Sequence, residues 1–171
     1  MNENWGNIPP WLPVTLPESK RRSLDLIIEA LDVEKAARYA RKGNTTYCNI
    51  FVWDVSKAAG VEVPHWYEAK SGLPTEVGHG LEMHANRMVE WLGKHWKAVT
   101  KEEAHAAAEA GSLVIVGWRN PEGIGHVAVM QPEGTIAQAG ASNFVGRPVA
   151  AGFGNRPVKY FVSPAAPWGK P

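Results

Sequence analysis

Apolar residues recur at helical spacing through the first two thirds of the chain. The clearest stripe joins Leu24, Ile27, Ile28 and Leu31, which would share one face of a helix. Asp32 is placed to cap the helix that follows it. On this spacing the predicted helices cover 19–30, 32–41, 48–60, 81–95 and 101–110, with a loop over 61–80.

The pattern changes after residue 112, where short β-rich runs alternate with turn residues. The predicted strands cover 113–116, 127–130, 135–139 and 158–162, with a further strand over 147–153. Helices first and antiparallel strands second indicate the α+β class, with the amino-terminal helices packed on one face of the sheet. Four prolines in 5–17 predict an extended arm over 1–17, followed by a single domain over 18–171.

A tight turn sets the register of two predicted strands. Pro132-Glu133-Gly134 suits a three-residue hairpin loop, because glycine takes the left-handed position at its end. That loop pairs Gln131 with Thr135 and hence Ala128 with Gln138, so that His126 and Gln138 lie diagonally on the same face. A glutamine side chain at this distance can reach the imidazole.

Composition excludes several function classes. The chain of 171 residues has 18 basic and 17 acidic side chains, so it lacks the basic field that nucleic-acid binding requires. The longest apolar run, 113–118, is too short to cross a bilayer, and residues 1–5 do not read as a signal peptide. We therefore expect a monomer made in the cytoplasm, without membrane insertion and without a nucleic-acid partner.

Cys48 is the only cysteine, which excludes an intrachain disulfide and any zinc site of several thiolates. It lies in the first turn of a predicted helix, where Thr45 or Thr46 can supply the cap. The positive end of the helix dipole favours a thiolate there, so Cys48 is a candidate nucleophile. The alternative is that Cys48 packs as a small buried hydrophobe.

His126 is the best candidate for a base among six histidines. The other five lie in helical or loop contexts with polar neighbours, whereas His126 begins an apolar strand and shares its face with the small Ala128. A base must take the thiol proton and return it to the leaving amine. Gln138 would accept from one imidazole nitrogen and fix the tautomer that presents the other nitrogen to Cys48.

A zinc site is the first rival. His79, Glu82 and His84 form H-x-x-E-x-H, one residue longer than the inverzincin spacing. Five residues along a helix turn the two imidazoles about 140° apart, which is poor geometry for a shared metal. The prediction is therefore that the chain uses neither a metal nor another cofactor.

These motifs resemble those of a known family. A cysteine that opens a core helix, the Gly125-His126-Val127-Ala128-Val129 strand and a polar residue twelve positions after the histidine are similar to papain-like cell-wall peptidases and amidases of the NlpC and CHAP type. The segment 45–55 and the later 81–92 resemble phage endolysins of that group. The resemblance covers roughly residues 38–162 and implies a papain-like catalytic domain.

The resemblance also implies roles. Cys48 would be the nucleophile, His126 the base and Gln138 the orienting third residue, although relatives more often place His, Asn, Asp or Glu there. Relatives commonly use an upstream tyrosine near the oxyanion, which would be Tyr39 or Tyr47. The further candidates for oxyanion or substrate contacts are Asn49 and Trp66.

The implied function is hydrolysis of amide bonds in peptidoglycan through an acyl-cysteine, on the bacterial wall after release from the cell. The order of Cys48 before His126 favours peptide amides over lipids, because permuted lipid-acting relatives have the reverse order. Two alternatives stay open: an antibacterial amidase toxin with the same chemistry, and a non-enzymatic module that binds cell wall or protein. Which amide bond is cut also stays open.

Overall fold

The computed structural model describes residues 8–165. Its α-helices are α1 (Leu24–Leu31), α2 (Cys48–Ala58), α3 (Ala85–His95), α4 (Lys101–Glu109) and α5 (Val149–Phe153), with 3-10 turns at Glu18–Lys20 and Ala37–Tyr39. Its strands are β1 (Trp66–Tyr67), β2 (Leu81–Glu82), β3 (Lys97–Val99), β4 (Val114–Trp118), β5 (His126–Met130), β6 (Thr135–Gln138), β7 (Phe144–Pro148) and β8 (Lys159–Val162). No helix within 8–165 is long and apolar enough to cross a membrane.

The larger sheet has the strand order β3-β8-β4-β5-β6-β7, and every neighbouring pair is antiparallel. The short strands β1 and β2 form a separate antiparallel pair. This arrangement confirms the predicted α+β class. Helix α2 packs on the central strand β5, which places the start of the helix beside the start of the strand.

Helices cover both faces of the sheet, which differs from the prediction of one covered face. On one side, Ile115, Val127 and Val129 join the core formed with α1, α2 and α3. On the other side, the strand residues that alternate with these pack against Ala104 of α4 and Phe153 of α5. Because both faces are covered, β4 is buried along nearly its whole length and reads as a continuous apolar run.

The first helix was predicted over 19–30, but it begins only at Leu24 and covers the span of its apolar stripe, Leu24–Leu31. Ser23 caps α1 by accepting a hydrogen bond from the backbone N–H of Leu26 at 3.3 Å. Asp32 ends this helix with a φ of 46° and does not begin another one, so the predicted helix over 32–41 is wrong. Only the 3-10 turn Ala37–Tyr39 forms within that segment.

Two further predictions of secondary structure are wrong. Leu81–Glu82 pairs with Trp66–Tyr67, so α3 begins only at Ala85 and the predicted loop over 61–80 contains a strand. The predicted strand over 147–153 is divided between β7, which ends at Pro148, and α5. Proline has no N–H for a ladder bond, and its fixed φ suits a helix start. The pattern also missed β3, which pairs with β8 at the edge of the sheet.

Candidate active site

The thiol of Cys48 lies at the start of α2, with 3% of the residue exposed. Tyr47 occupies the N-cap position without a side-chain cap, so the prediction that Thr45 or Thr46 caps this helix is wrong. Backbone groups of Val127, Asn49 and Cys48 instead lower the pKa of the thiol. The N–H groups of Cys48 and Asn49, which a capping side chain would otherwise bind, act on the sulfur.

Burial raises the pKa of the Cys48 thiol, and the three backbone N–H groups offset that rise only in part. The helix start does favour the thiolate, as expected, but burial outweighs it, so the net pKa of the thiol is raised. Desolvation opposes formation of the charged thiolate more strongly than the helix terminus favours it. The neutral thiol needs a base before it can attack a carbonyl.

The predicted hairpin register is confirmed. Val129 pairs with Ala137, and the backbone N–H of Gln131 donates to the carbonyl of Thr135 at 2.8 Å. This register brings Nε2 of His126 to 2.7 Å from Oε1 of Gln138. The Gln138 side chain, 3% of that residue being exposed, therefore contacts the imidazole as the spacing predicted.

The hydrogen bonds of Gln138 assign the imidazole tautomer. Its Nε2 donates to the carbonyl of Ser142 at 3.0 Å, which orients the oxygen of the amide toward His126. Nε2 of His126 then carries the proton and donates to that oxygen. Nδ1 is left as the basic nitrogen that can accept a proton.

Two glycines make room for the His126–Gln138 pair. A Cβ at Gly152 would overlap Oε1 of Gln138, and a Cβ at Gly140 would lie 3.0 Å from its Nε2 and 3.2 Å from Cε1 of His126. The ring of Phe153 packs 4.9 Å from the imidazole. Sequence reasoning missed Gly152 and Phe153 because it placed them in a strand.

Burial, Gln138 and Arg156 together set the pKa of His126. Burial lowers the pKa most, the hydrogen bond to Gln138 partly offsets that effect, and the charge of Arg156 lowers the pKa further. The guanidinium of Arg156 lies 4.7 Å from the centre of the Trp118 ring, which holds it near the imidazole. His126 is consequently neutral at neutral pH, as a general base must be.

Two cavities meet at the start of β5. One of about 590 Å³ is lined by Cys48, and a second of about 260 Å³ is lined by His126 and Gln138. Ile124 and Gly125 line both cavities. Cys48 and His126 nevertheless lie on opposite sides of β5: Cys48 packs with Val127 and Val129 on the α2 side, whereas His126 contacts Phe153 of α5 on the other side. The structure therefore brings Gln138 to His126 but does not bring His126 to the thiol.

A second buried histidine lines the Cys48 cavity and was not selected from the sequence. His65 is 2% exposed, and its Nε2 lies 3.3 Å from Oε1 of Glu82. Its Nδ1 has no hydrogen-bond partner among the described residues. Burial lowers the pKa of His65, and Glu82 partly offsets that effect. The only local signal for this residue was its position between apolar and aromatic neighbours, in 63–67.

The remaining site candidates fall into three groups. Tyr47 and Asn49 line the Cys48 cavity, and the Asn49 amide donates to the carbonyl of Met83 at 2.9 Å. Tyr39 is buried and donates its hydroxyl to Asp54 at 2.6 Å, so that hydroxyl is already engaged away from the cavity. Trp66 packs edge-on against His65 at 5.6 Å and lies behind the cavity wall.

The H-x-x-E-x-H segment is not helical, because Glu82 lies in β2 and His84 is the N-cap of α3. His79 is exposed and lies 3.8 Å from a carboxylate oxygen of Glu76. Across residues 8–165, no group of three or more His, Cys, Asp or Glu side chains is arranged to hold a metal ion.

Comparison of the sequence with protein-family models finds no match, and comparison with curated proteins finds none either. Only the chemistry of the site and the sequence motifs therefore indicate a function for this chain.

Proposed function

We propose that the protein is a peptidoglycan hydrolase that cleaves amide bonds of cell-wall peptides through an acyl-cysteine intermediate. One observation carries the proposal: the only cysteine begins a core helix and lines a large cavity together with the buried histidine His65. A second histidine, His126, is oriented by Gln138 in the adjoining cavity. A nucleophile, a base and a residue that orients the base are the recurring parts of nucleophilic amide hydrolysis. The papain-like fold belongs to the same proposal.

The residues would act in a defined order. The proton of Cys48 passes to Nδ1 of His126, which requires the imidazole to move from the α5 side of β5 to the Cys48 side, and the sulfur attacks the amide carbonyl carbon. His65, which already lines the Cys48 cavity, is the alternative base. The carbonyl oxygen gains the negative charge, and the backbone N–H groups at the start of α2 stabilise it. The imidazolium then gives its proton to the leaving amine, and the C–N bond breaks. Water, deprotonated by His126, hydrolyses the thioester and regenerates the thiol.

Tyr47 is the tyrosine that this proposal places near the developing oxyanion. It lines the cavity directly before Cys48, whereas the hydroxyl of Tyr39 is bonded to Asp54. Exchange of Tyr47 for phenylalanine would remove the hydroxyl and keep the ring.

Replacement of the nucleophile tests the proposal. Cys48→Ala should abolish release of fragments from purified sacculi and leave the unfolding midpoint nearly unchanged, because one small buried side chain replaces another. Mass analysis of the released fragments would also identify the bond that is cut. Wall clearance at the wild-type rate by this variant would contradict the mechanism.

A matched pair of variants identifies the base. Each of the two histidines has one nitrogen beside a second side chain, Gln138 for His126 and Glu82 for His65. The motifs around His126 predict that His126→Gln removes nearly all turnover and that His65→Gln lowers it less. Both variants lose a buried imidazole, so the unfolding midpoint of each serves as its control. The opposite order of effects would assign the base to His65, which lines the Cys48 cavity.

A second candidate function is a non-enzymatic wall-binding module, which the deep burial of Cys48 favours because free cysteines often serve as packing. In that case Cys48→Ser would retain binding to sacculi, and no fragments would be released by the wild-type protein. An antibacterial toxin would share the hydrolytic chemistry and the same variants.

A further inference from the structure

A buried arginine holds the amino-terminal arm in place. Arg38 is 2% exposed, and its guanidinium bonds to both carboxylate oxygens of Asp54 at 2.6 and 2.8 Å. Its remaining N–H groups donate to the carbonyls of Ile8, Pro9 and Leu12 at 3.2, 2.6 and 2.7 Å. A buried guanidinium needs all of its donors satisfied, so residues 8–12 of the arm are part of the folded body.

This anchoring brings the arm to the candidate active site. Pro10 and Trp11, between the bonded carbonyls, line the same cavity as Cys48. Trp11 is 57% exposed and Ile124, which also lines the cavity, is 75% exposed. Apolar side chains that an anchored backbone holds out at a cavity mouth are typical of ligand contacts.

The wall of this cavity carries several neutral hydrogen-bonding groups and almost no charge. Asn44, Thr45 and Thr46 line the cavity with amide and hydroxyl groups. Among the residues that line this cavity, Glu82 is the one carboxylate, and no lysine or arginine occurs. A flat aromatic ring beside neutral hydrogen-bonding groups matches a pyranose, whose C–H face packs on an indole while its hydroxyl and acetamido groups bond to amides and hydroxyls.

We propose that Trp11 forms a saccharide subsite of the Cys48 cavity, and that the protein therefore selects amide bonds close to the glycan strand. The inference rests on the proposed hydrolytic function for the choice of bond, but saccharide binding itself does not require turnover. A cavity of about 590 Å³ has room for a sugar ring together with the amide attached to it.

Binding to an inactive variant tests the subsite directly. In Cys48→Ala protein labelled with 5-fluorotryptophan, the peptide-free disaccharide of N-acetylglucosamine and N-acetylmuramic acid should shift the fluorine resonance of Trp11. That resonance is assigned by its loss in Trp11→Phe. Adding Trp11→Ala should weaken disaccharide binding about tenfold. Leu12→Ala is the matched control, since Leu12 is an exposed neighbour whose side chain does not line the cavity.

Turnover gives a second readout. With active protein, Trp11→Ala should raise KM for a muramyl peptide about tenfold with little change in kcat, whereas Leu12→Ala should leave KM unchanged. Failure of wild-type protein to bind the disaccharide, or equal binding by Trp11→Ala and Leu12→Ala, would overturn the subsite. If the disaccharide binds but no fragments leave the sacculi, the hydrolytic function fails and the subsite stands.

Discussion

Burial moves the pKa values of the two reactive side chains in opposite directions, up for Cys48 and down for His126. Both shifts favour the uncharged forms, so a neutral thiol and a neutral imidazole are the resting state at neutral pH. Proton transfer must then accompany attack on the substrate. We expect substrate binding in the cavity to drive this proton transfer, because the thiol and the imidazole do not form an ion pair before the substrate binds.

Alkylation measures this state of the thiol. Iodoacetamide should inactivate the protein slowly near pH 7 and progressively faster at higher pH, because only the thiolate reacts and burial holds the thiol pKa above its usual value. EDTA should have no effect on turnover. Rapid alkylation at pH 6 would indicate a preformed ion pair, and activity lost to EDTA and restored by zinc would return attention to His79 and His84.

The pH–rate profile separates orientation from proton chemistry at Gln138. Gln138→Ala should lower kcat but leave residual activity, because the imidazole loses its orienting partner and keeps its basic nitrogen. Gln138→Glu should move the acid limb of kcat/KM to higher pH, since a carboxylate stabilises the imidazolium and raises the pKa of His126. Arg156→Gln should shift that limb in the same direction by removing a cation that lowers this pKa.

If both Gln138 variants match the wild-type profile, Gln138 is a bystander. Asn143 is not an evident substitute, because its amide donates to the carbonyls of Val33 and Tyr39, and its oxygen accepts from the N–H of Gly140. Arg156→Gln would still report on the charge near the imidazole in that case.

Helix α5 can approach Gln138 closely because residue 152 is a glycine and has no side chain. At Gly152 the helix approaches Gln138 so closely that a Cβ would overlap its oxygen. The backbone of α5 therefore limits where the amide can lie, although none of its five residues was a predicted site residue.

Gly152→Ala tests this approach. We expect a large fall in kcat because the methyl group displaces the Gln138 oxygen from His126, with a moderate loss of stability from overpacking, about 1–3 kcal/mol. Ala150→Ser on the exposed side of the same helix is the control and should leave kcat unchanged. Wild-type kcat in Gly152→Ala would show that the approach of α5 does not position the amide.

At the scale of the whole molecule, the Arg38–Asp54 pair joins the arm to α2, the helix that carries Cys48. Tyr39 completes the network through its hydroxyl bond to Asp54. Tyr39, one of the two tyrosines that the family resemblance offered near the oxyanion, thus has a structural position in this chain.

Arg38→Met should lower the free energy of unfolding by about 3–5 kcal/mol, because it leaves the Asp54 carboxylate buried without its partner. The matched control is Lys57→Met, which removes a half-exposed pair with Glu62 at 3.8 Å and should cost less than about 1 kcal/mol. Urea denaturation measures both values. Equal losses in the two variants would contradict the anchoring role of Arg38.

Local sequence patterns were sufficient to predict some parts of the structure. The tight turn Pro132–Gly134 determined the β5–β6 register, and that register is enough to bring Gln138 to His126. The apolar stripe of α2 likewise located Cys48 at the start of a helix. Each of these depends on residues close in the sequence, whose spacing is fixed by the geometry of a turn or a helix.

Only the tertiary structure decided the rest. His65, Gly152 and Trp11 reach the site through packing between distant segments, and no local spacing encodes those distances. The thiol pKa was misjudged for the same reason: the helix terminus is visible in the sequence, but desolvation depends on everything that covers the sulfur. The sequence by itself determined which chemical groups are present and the local register of two of them, whereas burial, cavity walls and the position of the arm required the folded chain.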